Sequence, residues 1–404
     1  MHNKKKLLLL GGARYLLPVI EMAHKLNCHV ITCDYLPQNV AHKYSDEYWN
    51  ISIIDKEAVL QMAKKEKIDG VMSFACDPGV ITASYVAEIM GLPFQCSYKS
   101  AQVLQDKGLF RKFLTENKFN CPHARSYESA GEILNELDYF NWPVMVKPTD
   151  SAGSKGCTKV NKSEDLEEAI KAAISESHSS KYIIEDFLSF EGYHSSTDIF
   201  VVDGKIEFIT FSDQLFDSEA ENPYTPAFII WPSTMEKKYQ NILSDEIQRL
   251  VTLLEIRTGI FNVESCVADG KAYIMEISPR GGGCWIAELQ KMAFSVNLIE
   301  NEVRKSVGLP LKELKSTCLN GCWCEMILHT KKSEYGILKA ITIDNEVKNK
   351  YLKMENIAAK SGNLIRAFSG ANMALGDLIL RFDNREELNS VVDKVDEWLH
   401  IILE

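Results

Sequence analysis

The sequence predicts an α/β protein of several domains, and three observations carry that reading. The first hundred residues alternate apolar runs with helical patterns, the next two hundred are rich in strands and hairpins, and the last ninety read as an α+β tail. A length of 404 residues, 46% hydrophobic and 25% charged, describes an ordinary globular chain. At roughly 100–200 residues per domain it accommodates two to four domains.

In order along the chain, Leu7, Leu8, Leu9 and Leu10 form the first strand, and Gly11 and Gly12 turn it. Leu17, Ile20, Met22, Ala23 and Leu26 supply a helical face, and a strand over 30–33 ends at Asp34. Val59, Leu60, Met62 and Ala63 belong to the next helix, followed by a strand over 70–74 and a helix over 80–90. Such a βαβα rhythm implies a parallel sheet with helices on both faces. Ligands of these sheets sit beyond the strand C-termini, where Gly11, Gly12, Asp34, Cys76 and Asp77 stand. The dinucleotide fingerprint G-x-G-x-x-G is absent after the first strand, so a nicotinamide cofactor is not expected. A helix over 101–116 carrying Asp106 and Lys107 marks the change of pattern. Residues 144–160 and 182–210 are strand-rich, and 212–236 reads as a loop punctuated by Pro223, Pro226 and Pro232. Its 211–231 portion is the expected substrate-facing loop. A helix over 244–258 and strands over 260–267 and 272–278 follow. The tail holds strands near 321–329, 336–344 and 375–382 and a closing helix over 386–399.

Composition excludes several functions. A net charge of −11 argues against nucleic acid as the main partner, although a few local cations still permit a small anionic ligand. No apolar run approaches the roughly 18 residues of a membrane span. Lys4, Lys5 and Lys6 imitate a signal peptide, but Gly11, Gly12 and Arg14 end the apolar stretch too early. The expectation is a cytoplasmic protein without a membrane partner. Its eleven cysteines then read as reduced thiols, and Cys318, Cys322 and Cys324 lack the second half of a zinc site.

Two stretches carry chemistry. In 144–157 an apolar strand delivers Lys147, a loop of small residues from Ser151 through Gly153, Ser154 and Gly156 follows, and a second strand begins at Thr158. Small residues let backbone N–H groups approach phosphate oxygens. The lysine precedes the glycines and a strand follows them, so this is not a Walker A loop. In 261–280 a strand, a turn and a strand carry acids where a core strand should be apolar. A three-residue loop, Ala268, Asp269 and Gly270, would pair 267 with 271. Glu264 and Glu276 then become diagonal neighbours on one face, with Asn262 opposite Glu276, whereas a two-residue loop would send the glutamates to opposite faces. Same-face carboxylates beside Ser278 make a hard-cation site, and Mg²⁺ is commonly held by one or two carboxylates plus substrate phosphates.

The order Asp106-Lys107, Val146-Lys147-Pro148, Ser151 to Gly156, Glu185-Asp186-Phe187-Leu188, Glu264 and Glu276-Ile277-Ser278-Pro279-Arg280-Gly281-Gly282-Gly283 resembles the ATP-grasp superfamily. It is most similar to the carboxylate–amine ligase branch, which includes the purine-pathway ligases, biotin carboxylase and carbamoyl phosphate synthetase. The resemblance implies an N-terminal parallel-sheet (pre-ATP-grasp) domain over 1–98, a central two-lobed α+β ATP-grasp domain over 99–310 and a C-terminal α+β cap over 311–404. It implies ATP with Mg²⁺, Mn²⁺ serving as a substitute, a small carboxylate and an amine as substrates, and a homodimer. Lys107 and Lys147 would contact the phosphates, and the loop of Ser151, Gly153, Ser154 and Gly156 would close over them. Glu185 would accept from the adenine amino group, with Asp186, Phe187 and Leu188 along the ring. Glu191 or His194 would reach the ribose, with Glu191 preferred. Glu264, Glu276 and Ser278 would hold the metal, Arg280 would steady an acyl phosphate, and Asp77, Arg280 and Gly282 would face the substrate.

This chain departs from the family at Ser278, where the family has asparagine, and at His194, where the ribose glutamate usually stands. It also lacks the glycine-rich opening of phosphoribosylglycinamide synthetase at residues 11–16, which counts against that activity. The reaction implied is activation of a carboxylate as an acyl phosphate, then displacement of phosphate by an amine. The alternatives are phosphoribosylglycinamide synthetase itself, carboxylation of a biotin carrier, and ATP binding without ligase turnover.

Overall fold

Strand β1 (Lys6–Leu10) is apolar at four consecutive positions because both of its faces are covered, and Leu7, Leu8, Leu9 and Leu10 are fully buried. The computed structural model describes residues 4–129 and 131–404. After β1 come α1 (Leu17–Lys25), β2 (His29–Cys33), β3 (Glu47–Trp49), α2 (Lys56–Glu66), β4 (Gly70–Ser73) and α3 (Asp77–Met90). The four strands are parallel in the order β3-β2-β1-β4. Helix α3 begins three residues before the expected position, because Pro78 suits a first turn and Asp77 lies at its positive end.

The helix expected over 101–116 is two helices, α4 (Tyr98–Gln105) and α5 (Lys107–Glu116). Asp106 breaks it: its backbone is extended, and its carboxylate accepts from Leu109 N at 2.8 Å as the cap of α5. Next come β5 (Ala124–Tyr127), β6 (Val144–Pro148), β7 (Thr158–Val160), α6 (Leu166–Ser175) and β8 (Tyr182–Asp186), whose strands form an antiparallel sheet ordered β5-β8-β6-β7. This is the smaller lobe. The larger lobe is built from β9 (Ser195–Val202) and β10 (Lys205–Phe208), later joined by two strands beyond the next hairpin.

That hairpin lies in the segment read as a loop. Residues 212–236 contain β11 (Asp213–Phe216) and β12 (Pro226–Trp231), paired antiparallel. Pro226 opens its strand and Pro232 follows the end of it, positions where a missing N–H breaks no ladder, so the prolines marked boundaries rather than a loop. Helix α7 (Lys237–Leu253) packs its Leu243, Ile247, Leu250 and Val251 into the core and runs earlier than expected. Strands β13 (Gly259–Ala268) and β14 (Lys271–Ser278) complete the larger lobe in the order β10-β9-β13-β14, and α8 (Ile286–Phe294) and α9 (Leu298–Ser306) follow.

The tail contributes β15 (Cys322–Leu328), β16 (Gly336–Ile343), α10 (Asn345–Lys350), β17 (Leu352–Ile357), β18 (Leu364–Ile365), β19 (Gly376–Phe382), α11 (Arg385–Val392), α12 (Val395–Trp398) and β20 (Leu399–Leu403). The single closing helix expected over 386–399 is thus two short helices running into a strand. One five-stranded sheet, β11-β12-β15-β19-β17, crosses residue 310: Phe228 of β12 pairs with Met326 of β15. The α/β class with a parallel N-terminal sheet and antiparallel sheets beyond it is as the sequence predicts. Among the described residues no helix is long and apolar enough to cross a membrane.

Candidate active site

The β13–β14 hairpin sets the geometry. Its turn has two residues, Asp269 and Gly270, not three, and both have positive φ (49° and 67°), as a tight hairpin of this twist requires. Ala268 therefore pairs with Lys271, a register that alone would send Glu264 and Glu276 to opposite faces. A bulge at Met275 shifts the register by one residue, so Glu264 pairs directly with Glu276 and Asn262 with Ser278. The two glutamates share a face, as expected, by a different route. Burial and then the facing Glu276 push the Glu264 carboxyl up to about 7.

Lys107 opens α5, with its N–H bound to Thr149 O at 2.9 Å. Its Nζ donates to Ser151 O at 2.8 Å and lies 3.8 Å from Glu276. A cavity of about 220 Å³ opens here, with Asp77, Gln105, Lys107, Ser151 and Glu276 in its wall. Ser278 is buried; its hydroxyl donates to Asp77 at 3.0 Å and accepts from Gln105 at 3.2 Å. The same hydroxyl also lies 3.4 Å from Glu276 Oε1. Asp77 takes a two-pronged bond from Arg280, Nε at 2.8 Å and Nη2 at 2.7 Å, as a matched guanidinium–carboxylate fork. Burial would raise the Asp77 carboxyl, but Arg280 outweighs it and holds it below the ordinary value. Asp77 therefore positions Arg280 instead of offering a free carboxylate. Gly282, expected to face the substrate, is buried with its N–H on Asp198 at 2.8 Å; a Cβ there would sit 2.8 Å from Asn262 and 2.9 Å from Asp198. Asp34, by contrast, closes its own turn onto Leu36 N.

Lys147 on β6 meets Glu185 on β8, two residues from the Met145–Glu185 pair and on the same face. The other oxygen of Glu185 accepts from Arg111 Nε at 2.8 Å. Burial pushes Glu185 up, but Arg111 and Lys147 prevail and bring it down to about 2. Both carboxylate oxygens are thus paired with cations. Arg111 was not singled out in the sequence, although it lies four residues after Lys107 and so on the same helix face. Its Nη1 also donates to Met275 O at 2.8 Å, anchoring the bulge to the smaller lobe. The Asp186 carboxylate turns outward to Asn141. Leu188 packs with Met275 against Cys266, Ala268 and Tyr273, giving the cleft an apolar wall.

Glu191 is exposed and its carboxylate accepts from Gly270 N at 2.7 Å, capping the hairpin turn. Glu191, preferred for the ribose, thus serves the turn with its carboxylate. His194 Nε2 is buried with no hydrogen-bond partner among the described residues. Burial and then Lys147 lower its pKa to about 4, so the ring is neutral at pH 7. In the small-residue loop, Gly153, Ser154 and Gly156 have φ of 69°, 59° and 65°. The loop docks on the 222–224 segment, with Ser154 Oγ donating to Tyr224 O and Asn222 Nδ2 to Ser154 O, each at 2.9 Å.

Comparison with known proteins gives a domain family for the middle of the chain. Residues 104–284 match the family described as ATP-grasp domain. The chain is 27% identical over 330 residues to the formate-dependent phosphoribosylglycinamide formyltransferase of Synechococcus sp., covering 81% of this chain and 82% of that one. It is 24% identical over 66% of its length to the carbamoyl phosphate synthase large chain of Thermotoga petrophila, of which it spans 23%. Among solved structures, L-amino acid ligase from Bacillus licheniformis is similar with a TM-score of 0.82 at 19% identity, each chain covered completely. The biotin carboxylase domain of the Hydrogenobacter thermophilus 2-oxoglutarate carboxylase, solved with MgADP and bicarbonate, has a TM-score of 0.74 at 14% identity over 100% of this chain and 92% of that one. The resemblance read from the motifs is thus borne out over residues 104–284, which match the ATP-grasp domain, and the fold of the whole chain is that of the similar solved structures.

Proposed function

We propose that the protein activates a small carboxylate with ATP and joins it to an amine, releasing ADP and phosphate. The observation that carries this reading is the directly opposed pair Glu264 and Glu276, with Lys107 beside Glu276 and Arg280 held by Asp77 close by. Two facing half-buried carboxylates repel unless a cation lies between them, and all-oxygen donors suit Mg²⁺. The residues present fit that ion: Glu264 and Glu276 would hold it, with Ser278 acting through water because its hydroxyl is engaged. When bound, Mg²⁺ would neutralise charge on the transferred phosphoryl group.

The chain's own residues do the rest. Lys107 and Lys147 supply point charges for phosphates, and Lys147 has Glu185 as its counter-ion until a nucleotide arrives. The loop of Ser151, Gly153, Ser154 and Gly156 covers the phosphates and excludes water. The backbone of Asp186, Phe187 and Leu188 reads the base, and His194 reaches the ribose. Arg280, fixed by Asp77, binds the acyl phosphate oxygens as they form. Positioning and charge stabilisation suffice for such phosphoryl transfer, so no strong base is needed.

The test is ADP release across pairs of carboxylates and amines, including amino acids, glycine with phosphoribosylamine, and each with or without bicarbonate. ADP release that needs both partners of one pair supports the ligase reading. Bicarbonate-dependent release without an amine redirects it to carboxylation. A second reading, ATP binding without turnover, draws on Ser278, which replaces the family's asparagine and is tied to Asp77. Tight ATP–Mg²⁺ binding by calorimetry with no release for any pair would establish it.

A further inference from the structure

Two carboxylates converge where the parts of the chain meet, with a third near enough to act on one of them through its charge. Asp198 lies on β9, Glu325 on β15 and Asp377 on β19, and all are fully buried. Ile327 pairs with Asp377, which puts Glu325 and Asp377 on one face of their sheet as diagonal neighbours. A carboxylate oxygen from each, together with Cys284 Sγ, lie within 4.8 Å of one another. Neither oxygen of Glu325 has a hydrogen-bond partner among the described residues, nor does Asp198 Oδ2. Arg14 reaches in from the first domain and contacts Asp377. One guanidinium beside Glu325 and Asp377 leaves their oxygens short of donors, and buried polar groups are ordinarily satisfied.

The cradle borders the turn that follows the proposed reacting centre. Arg14, Tyr15, Cys284 and Trp285 around it are partly exposed. Cys284 and Trp285 are consecutive non-glycine residues at positive φ, 54° and 56°, and the Trp285 Nε1 is buried without a partner among the described residues. Two adjacent residues in that region mark a backbone held against its preference. This turn directly follows Arg280-Gly281-Gly282-Gly283, and Asp198 Oδ1 holds the Gly282 N–H at 2.8 Å. Asp198 is also in transverse register with Asn262 and, through it, Ser278. The same turn therefore carries Arg280 at one end and borders the carboxylates at the other.

We infer that this cradle takes the ammonium group of an amino-acid substrate, and that this amino acid is the one whose carboxylate is activated. The inference rests on the ligase reading above and names its substrate class. An ammonium group offers three N–H donors from one compact centre, which suits the carboxylate oxygens that Glu325 and Asp377 bring together. Carboxylates gathered around an ammonium keep it protonated, and a protonated amine is no nucleophile. The group held here is thus the amino group that does not react, while its carboxylate points to the Arg280 end. Arg14 inside the same cluster disfavours a doubly charged metal ion in its place.

The test uses the full chain loaded with a non-hydrolysable ATP analogue and Mg²⁺. Calorimetry is run with the proteinogenic L-amino acids, each beside its N-acetyl derivative and its 2-hydroxy acid. At least one free amino acid should bind about tenfold or more tighter than both of its derivatives. Glu325→Gln and Asp377→Asn should each weaken it about tenfold while ATP-analogue affinity, which reports folding, is unchanged. Derivatives that bind as well as the parent, amino-acid binding unaffected in Glu325→Gln, or stoichiometric Zn²⁺ uptake lost in that variant would each overturn the inference. So would the absence of any amino-acid binding when the ATP analogue binds. The two readings fail separately. Turnover confined to acids without an amino group would end this inference and leave the ligase standing, whereas cradle-dependent amino-acid binding without ADP release would do the reverse.

Discussion

Glu185 in the smaller lobe and Asp198 in the larger are both buried strand carboxylates, yet their environments drive them in opposite directions. Glu185 lies between Arg111 and Lys147, which outweigh its burial and hold it at about 2. Asp198 accepts only from amides, Asn262 at 3.0 Å and Gly282 at 2.8 Å, and burial pushes it up to about 6. A site that will meet a polyanion must keep cations inside the protein beforehand, and buried cations survive there only with an internal counter-ion. The nucleotide side is therefore complete without its ligand. The Asp198, Glu325 and Asp377 side is electrostatically unfinished, and a bound cation would finish it.

The largest expected effects break the completed side. Lys147→Ala and Glu276→Ala should each lower ADP-releasing turnover by about 10³-fold or more, since each removes charge that the transition state needs. Turnover near the parent rate in either variant would refute the assignment. Glu185→Gln acts on stability instead. It strands two buried cations, and urea unfolding at pH 7 should show a loss of about 3–5 kcal/mol. The pH dependence has a definite sign. Because the folded-state pKa is depressed from 4.5 to about 2, the contribution is fully present above 4.5 and is lost as pH falls through 2. The gap between parent and variant should close across that window.

Asp198→Asn should give a smaller change of opposite sign. An acid whose pKa is raised from 3.8 to about 6 binds its proton more tightly when folded, so the parent loses stability as pH rises between those values. The amide keeps the acceptor for Gly282 and removes the charge. At pH 8 the variant should be more stable than the parent by roughly 1–3 kcal/mol, and its stability should be flatter with pH. A less stable variant at pH 8 would mean that Asp198 already has a cationic partner.

Much of this was legible in the sequence, and the exceptions have physical causes. Continuous apolar runs such as Leu7 to Leu10 announce a doubly covered parallel strand, and the alternation with helices gives the first sheet directly. The middle strands that carry Lys147, Glu185, Glu264 and Glu276 fall where hydrophobicity puts them. The turn beyond Ala268 was misjudged because a bulge is invisible to periodicity: Met275 reads as one more strand residue, and Arg111, which holds it, is distant in sequence. Strands β11 and β12 were hidden by prolines that mark their edges. The cradle could not be read at all, since Asp198, Glu325 and Asp377 each look like an isolated acid in a strand until the folding of two sheets places them.

The finest contrast lies between the two ribose candidates. Glu191 and His194 are three residues apart, and sequence alone does not separate them. Glu191 is bound to Gly270 N in the exposed turn, so Glu191→Ala should cost about 0.5–1.5 kcal/mol of stability and leave ATP affinity unchanged. His194 Nε2 is buried without a partner, and the neutral ring can exchange one hydrogen bond with a ribose hydroxyl. A bond of that kind is worth about 1 kcal/mol, so His194→Ala should weaken ATP binding by about fivefold or more. His194→Gln, which keeps a polar atom on a side chain of similar reach, should recover part of it. The discriminating measurement is ATP titration by calorimetry on all three variants. Loss of affinity in Glu191→Ala with none in His194→Ala would return the ribose to the glutamate, and the hairpin cap would then have to release it when nucleotide binds.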